Sequence, residues 1–473
     1  MSKYLEYFMG AFDSTVADKI KPENKPYVAY SRTEGVIYTV IPEPVADGPW
    51  VTFTAEEDNS SIVLNRLSTG QIMEHSTDTA TWNTFDTTTN ISLNKGDKVY
   101  VRGILSTDNT PSNYTQFQTT GKIAASGNCN AIWNYQDLNA PLKKYCGYYM
   151  FLGSAALTTA PELPATTVTN NCYDSMFYNC TSLTTAPELP ATTVTNNCYD
   201  SMFYNCTSLT TAPELPATTL AEYCYAEMFT YCTSLTTAPE LPATTLAEYC
   251  YAEMFTYCTS LTTAPELPAT TLASGCYSSM FQDCTSLTTA PELPATTLDF
   301  KCYSSMFRNC TSLTTAPELP AIKLVNSCYT SMFSGCTSLI TAPELPATTV
   351  TNSCYAGMFS GCSSLTTAPE LPATTLYSDC YKSMFSGCTN LTTAPELPAT
   401  TLAYGCYQSM FQKCTSLNYI KCLATDISAT KCTYFWFRYG SSTGTFIKHP
   451  NMSNWSTGIS GIPSGWTVED AVL

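Results

Sequence analysis

The sequence predicts a mainly β chain with short helices, in which a small N-terminal β-sandwich precedes a solenoid of 26-residue period. Two observations carry this. Between Cys146 and Cys432 a Cys recurs every 26 residues, at 146, 172, 198 and onward through 406 and 432, without a slipped register. Ahead of it, Trp50 to Ala125 breaks into short runs rich in Val, Ile, Thr and aromatics, separated by turn signals. A fixed period of this length means that no unit buries its apolar side alone, and that stacking builds one continuous core.

Composition narrows the function classes. Charged residues make up only 12% of the 473, and the net charge of −17 disfavours nucleic acid, whose phosphates attract basic faces. No run of about 18 apolar residues occurs, so no membrane-inserted helix is expected. The start, MSKYLEYFMGAF, is broken by Glu6 and lacks a basic segment and a small-residue cleavage site, so it does not read as a secretory signal.

Residues 1–44 read as an N-terminal anchor, hairpin and linker. Asp13 to Pro26 is polar; Tyr27–Ser31 and Val36–Ile41 are strand-like and flank the turn Arg32-Thr33-Glu34-Gly35; IPEPVADGP follows as a semi-rigid linker. Residues 45–125 are the β-sandwich, with seven runs: WVTFTA, SSIVLNRL, QIMEHS, TWNTF, ISL, KVYVRGIL and YTQFQTTGKI. Residues 126–419 form the repeat solenoid of about 11 units, opened by a capping segment with Ile132 and Trp133. Its first unit departs from the pattern, with Gly147 in the Tyr column and Ser154 in the second Cys column. Residues 420–473 are the C-terminal cap: Trp436 replaces Met, Gly440 replaces the second Cys, and Trp455 and Trp466 cover the open end.

A representative unit is Cys172 to Asn197, CYDSMFYNCTSLTTAPELPATTVTNN. Its inward columns are Cys172, Met176, Phe177, Cys180, Leu183, Leu189 and Val194. The CYxxMFxxC spacing suits a short helix or 3₁₀ turn. LTTAPEL is the candidate strand, short and interrupted because Pro187 has no N–H for a ladder. The Tyr column from Tyr173 onward is expected to be half-buried. Of the 24 Cys, 22 fall on two columns and read as small buried hydrophobes; C-x7-C fits no zinc pattern. Scattered disulfides or metal are the alternative.

Two surfaces follow. The nearly invariant PELPATT side carries an acidic column: Glu162, Glu188, Glu214, Glu240, Glu266, Glu292, Glu318, Glu344, Glu370 and Glu396. Neighbours about 5 Å apart in water repel by about 0.8 kcal/mol. The column reads as a solvated stripe, with cations or a basic partner as the alternative; no metal site is assigned. The other side varies in the three residues before each first Cys and the pair before each second Cys. It offers Tyr223, Tyr231, Tyr249, Tyr257, Phe300, Arg308, Tyr377 and Tyr404 as a candidate ligand-binding face; drift at exposed positions explains the variation equally well. Cys172–Thr193 recurs as Cys198–Thr219, and Tyr223–Leu246 as Tyr249–Leu272, which points to copying of whole units.

Catalysis finds little foothold. The two His, His75 and His449, adjoin no nucleophile motif, and no Walker, Rossmann, G-x-S-x-G or H-E-x-x-H pattern occurs. Ten equal Glu environments tune no single pKa. A non-enzyme without cofactor is predicted.

The SMFxGCTSLTTAPELPATTL pattern resembles the BspA-type leucine-rich repeats of gut Bacteroidota and their phages, over residues 126–473. TGKIAASGN and the tail GTFIKHPN…IPSGWTV are similar to that family's flanking segments. The 26-residue unit is longer than the family's usual one, and the Pro inside the candidate strand is a second departure. The resemblance implies surface adhesion, to host protein or glycan, and no catalytic residues. The segment KPENKPYVAYSRTEGVIYTVIPEP resembles N-terminal pieces of phage fibre and head-associated proteins, including those of crAss-like phages. With no export signal read at the start, the expectation is a virion fibre, head fibre or decoration protein assembled in the host cytoplasm. Its leader would dock on capsid or tail proteins, and its repeats would touch a bacterial surface protein or glycan; homo-oligomers fit this role. The alternative is a bacterial cell-surface adhesin.

Overall fold

The structure, a computed structural model of the chain, describes residues 27–31, 36–40, 48–453 and 455–472. The polar leader 13–26, the turn 32–35 and most of the linker lie outside the described residues. Strands β1 (Tyr27–Ser31) and β2 (Val36–Val40) pair antiparallel, Tyr27 opposite Val40, as the hairpin reading expects.

The next region is built from β3 (Val51–Ala55), β4 (Ser60–Arg66), β5 (Gln71–Ser76), β6 (Asn83–Thr84), β7 (Asn90–Leu93), β8 (Lys98–Leu105), β9 (Gln116–Thr120) and β10 (Ile123–Ser126). The run YTQFQTTGKI is thus two strands, split at Gly121, whose φ of 65° turns the chain. Alternation sets the inner faces: in β8, Val99, Val101 and Leu105 are buried while Lys98 and Tyr100 face outward. One sheet runs β11-β10-β3-β8-β5-β6, where β11 (Leu157–Thr159) comes from the repeat region and pairs parallel with β10; the other runs β7-β4-β9. Their inner faces meet at Phe53 and Phe117, ring centroids 5.6 Å apart. Helix α1 (Asn130–Asn134) follows, with Ile132 and Trp133 buried.

In the repeat region the CYxxMFxxC segment is not a helix. It is a run of overlapping turns. The N–H groups of Cys172, Met176, Tyr178 and Cys180 donate back to Thr169, Tyr173, Ser175 and Phe177 carbonyls; those of Asn171, Ser175, Phe177 and Asn179 donate forward to Asn196, Asp200, Met202 and Tyr204 of the next coil. Asn171, Ser175 and Asn179 sit at φ of 58°, 53° and 62°. Alternating left-handed residues break a helix and free every other amide for the neighbouring coil. The LTTAPEL strands shrink to single-residue parallel bridges, such as Thr159–Thr185, Thr185–Thr211 and Thr211–Thr237. The proline two residues on cannot extend the ladder.

Cys172, Met176, Phe177, Cys180, Leu183 and Leu189 are all buried, at most 3% exposed. So is the Tyr column: Tyr173, Tyr199 and their equivalents through Tyr407 are fully inside rather than half-buried. Two aromatic ladders run through the coils. Phe177 stacks on Phe203 at 5.6 Å and 2°, and Tyr199 on Tyr225 at 5.7 Å and 6°. Parallel rings pack edge over edge from coil to coil, which hides the whole phenol ring.

All 24 cysteines lie among the described residues, and each is a free, buried thiol. The second column does more than fill space. Cys180 Sγ donates to the Phe151 carbonyl at 3.2 Å, Cys284 to Phe255 at 3.0 Å and Cys414 to Phe385 at 3.0 Å, each one coil back. Burial pushes the Cys180 and Cys284 thiols well above their ordinary range, so they stay protonated and can donate. The C-terminal end is a parallel sheet of β12 (Tyr419–Cys422), β13 (Thr445–Lys448) and β14 (Thr467–Asp470). There Trp436 stacks on Trp455 at 5.7 Å, and its Nε1 donates to the Gly461 carbonyl at 2.7 Å.

Candidate binding face

The left-handed turn positions fall immediately before each first Cys, three residues after it, and immediately before each second Cys. These are largely the columns that vary in sequence. A side chain there leaves the coil outward, and the backbone suits Gly and Asn far better than bulky residues. Gly335, Gly361 and Gly387 fill the third column at φ of 80°. In the same column stand Tyr231 at 63° and Tyr257 at 60°; in the first stand Tyr223 at 54° and Tyr249 at 51°. Large aromatics in this conformation are held against their own preference.

The four tyrosines form two ladders, in which Tyr223 is exposed and Tyr231, Tyr249 and Tyr257 are half-buried. Tyr223 stacks on Tyr249 at 5.1 Å and 12°, and the Tyr249 ring lies over Gly275, where an added Cβ would meet it at 2.2 Å. Tyr231 stacks on Tyr257 at 4.5 Å and 6°. The second ladder extends to Tyr204, 5.5 Å from Tyr231, and on to Tyr178, 4.4 Å from Tyr204. The sequence reading missed Tyr178 and Tyr204, which sit one column aside from Tyr231. Phe300, Arg308, Tyr377 and Tyr404 are exposed but join neither ladder; Lys301 instead lies over the Phe300 ring, 5.0 Å from its centroid.

Beside the Tyr223–Tyr249 pair lies a cleft of about 370 Å³. Asp200, Glu227 and Glu253 line it, and the sequence reading missed these too. Burial raises the Asp200 carboxyl to about 7, aided by Asp174; burial raises Glu227 to about 7, with Glu253 and Asp200 adding repulsion. Glu253 is raised by burial as well. Asp200 accepts from Ser201 Oγ at 3.1 Å and Asn197 Nδ2 at 3.3 Å. The cleft thus combines aromatic edges with carboxyls that hold a proton near neutral pH. A signal was present: between Ser175 and Ser409, Glu227 and Glu253 interrupt a column otherwise filled by Ser and Gly.

The acidic column lies apart. All ten of its Glu are exposed, and Glu396 alone is met by a cation in the described residues, Lys421 Nζ at 3.0 Å. Among the described residues no group of three or more His, Cys, Asp or Glu is placed to hold a metal ion. No helix there is long and apolar enough to cross a membrane.

The family model described as the BspA type Leucine rich repeat region (6 copies) matches residues 144–288, 223–365 and 328–437. These matches overlap and span more than half of the chain. No curated protein matches it. Repeats of this family are generally non-catalytic protein-interaction scaffolds. The matches cover the stacked coils between Cys146 and Phe437, and the chain belongs to the BspA-type leucine-rich-repeat family.

Proposed function

We propose that this chain is a non-enzymatic adhesion protein whose repeats form a solenoid of 26-residue period and whose variable face contacts protein or glycan on a cell surface. The observation that carries the reading is the pair of outward-facing, partly exposed tyrosine ladders, Tyr223–Tyr249 and Tyr231–Tyr257, kept at backbone positions where Asn or Gly fits better. Residues that oppose a local preference mark places where selection acts on something besides folding. Aromatic rings beside polar acceptors supply large contact area at little entropic cost.

We place the protein on a phage particle, as a fibre, head fibre or decoration that meets the bacterial host surface, with residues 1–44 docking it on capsid or tail proteins. Many copies on one particle would turn weak single contacts into strong attachment. Mass spectrometry of purified particles beside washed bacterial envelopes tests the placement. Peptides of this chain in particles are the expected result; peptides confined to envelopes would make it a bacterial cell-surface adhesin. Whole-cell binding by the purified chain, compared with a Tyr223→Ala/Tyr231→Ala variant, tests adhesion itself; equal binding by both would sink the assignment to this face.

A further inference from the structure

The last coil carries charge of the opposite sign to the cleft at Asp200. Residues 397–468 hold five Lys and Arg, namely Lys413, Lys421, Lys431, Arg438 and Lys448, against one acid, Asp426, in a chain of net charge −17. Two of the five are paired with acids from outside the stretch, Lys421 with Glu396 and Lys448 with Asp470. Lys413, Lys431 and Arg438 meet no carboxylate among the described residues. These three share the variable side. Lys413 and Lys431 are exposed and stand in the left-handed columns at φ of 63° and 60°; Arg438 is half-buried and directly precedes Tyr439, the next left-handed residue.

Arg438 is clasped by rings. Its Cζ lies 4.7 Å from the Phe435 centroid and 4.6 Å from the Tyr439 centroid, and Tyr434 stacks on Phe435 at 3.9 Å. A guanidinium held this way keeps its plane, and its N–H groups form no hydrogen bond among the described residues. The backbone is open here as well. In each earlier coil the amides before the first and second Cys donate forward, as Gly405 does to Thr430 and Lys413 to Arg438. In the last coil the cap meets only the middle: the Phe435 amide donates to Ser460 Oγ at 3.0 Å, and the Phe437 amide to the Ile459 carbonyl at 3.4 Å. The amides of Lys431 and Tyr439, on the two flanks, meet no acceptor among the described residues. Unneutralised cations beside open N–H donors favour an anion, and a planar fork matches the two oxygens of a carboxylate. Tyr434 and Tyr439 are 42% and 59% exposed, so ring surface lies next to the fork. Uronic and sialic acids carry a carboxylate directly on a sugar ring, so that one residue spans fork and aromatic surface. An Asp or Glu side chain brings its carboxylate on a flexible stem with no flat apolar face.

We propose that the terminal coil binds an acidic sugar, with the carboxylate on the Arg438 fork and the sugar ring against Tyr439. The site lies outside the tyrosine ladders and does not rest on them: Tyr223→Ala/Tyr231→Ala should leave it intact. Calorimetric titration of the full chain with trigalacturonate, glucuronate and N-acetylneuraminate, to tens of millimolar, tests it; glucose, galactose, inorganic phosphate and a Glu-rich peptide are the counter-probes. At least one acidic sugar should bind, and the neutral sugars about tenfold more weakly or not at all. Arg438→Lys, which keeps the charge and removes the fork, should weaken that sugar about tenfold. Lys413→Gln/Lys431→Gln, at two exposed positions that leave the coil's packing untouched, should weaken it about threefold and flatten its dependence on salt. Thermal midpoints of both variants should match that of the parent chain. No binding by any acidic sugar, equal binding by the neutral sugars, affinity unchanged in both Arg438→Lys and the double Lys variant, or tighter binding by phosphate or by the Glu-rich peptide would each overturn the proposal.

Discussion

The Phe117 amide donates to the Met150 carbonyl at 2.7 Å, and the Phe117 ring stacks on Phe151 at 5.4 Å. Phe151 makes the same bond to Met176, and Phe177 to Met202. Strand β9 therefore acts as a coil before the first coil. Ser154 completes the likeness: its Oγ donates to the Phe117 carbonyl at 3.2 Å, the bond that Cys180 makes to Phe151. The departure at Ser154 is the join between the sheets and the stack.

Phe117→Ala should therefore destabilise the sheets and the first coils together, by about 3–5 kcal/mol. Urea unfolding followed by Trp fluorescence and by far-ultraviolet circular dichroism would show one shifted transition. Separate transitions, with the repeats unmoved, would show that the two regions fold independently.

Cys284→Ala should cost about 1–2 kcal/mol, from the lost volume and the lost thiol bond to Phe255. Cys284→Ser should recover part of that cost, because the hydroxyl can donate to the same carbonyl. Thermal denaturation of the pair decides it: a Ser variant no better than Ala would reduce the thiol to space-filling.

Stability should fall as pH rises through the cleft's titration. Asp200 and Glu227 have folded pKa values near 7, above the ordinary carboxylate value, so the folded chain holds more protons than the unfolded one between about pH 4 and pH 7. Their contribution favours folding below that window and is lost above it. At pH 8, Asp200→Asn should stabilise by about 1 kcal/mol, after allowance for water reaching the half-buried carboxyl; at pH 4 the gain should vanish. A gain of equal size at both pH values would point to packing instead.

Tyr231→Asn places in the third turn column the residue that Asn205 already supplies at φ of 57°. Relief of the backbone and loss of the Tyr257 stack should nearly cancel, leaving stability within about 1 kcal/mol. Cell binding should nonetheless drop. A variant that loses stability and keeps binding would show that the ladder serves the fold.

Much of the architecture was legible because it is written in columns. Cys172, Met176, Phe177, Cys180, Leu183 and Leu189 recur in register, and recurrence plus apolarity places them inside. Of the two readings that the CYxxMFxxC spacing allows, a short helix or a 3₁₀ turn, the structure takes the turn, with bonds from alternate N–H groups to the carbonyl three residues back; apolar spacing alone cannot separate a helical face from coils whose inward residues merely fall three and four apart. The distinguishing residues were Asn171, Asn179, Gly335 and Gly361, which tolerate left-handed backbone. Burial of Tyr173 was underestimated because a phenol reads as amphipathic, whereas a partner ring in each adjacent coil leaves its faces no water. Within the variable face, Tyr223 and Tyr249 could be named, but Asp200, Glu227 and Glu253 join them only through the turn of the coil.

The amides of Asn171, Ser175, Phe177 and Asn179 all point along the stacking direction, toward the next coil. A pull on the two ends of the repeat region therefore loads these bonds coil by coil, as a zipper is opened, and not all together in shear. Each coil that peels away releases 26 residues, or roughly 90 Å of slack at full extension. Under tension the repeat region is then a shock absorber, yielding in equal steps and re-forming when the load drops.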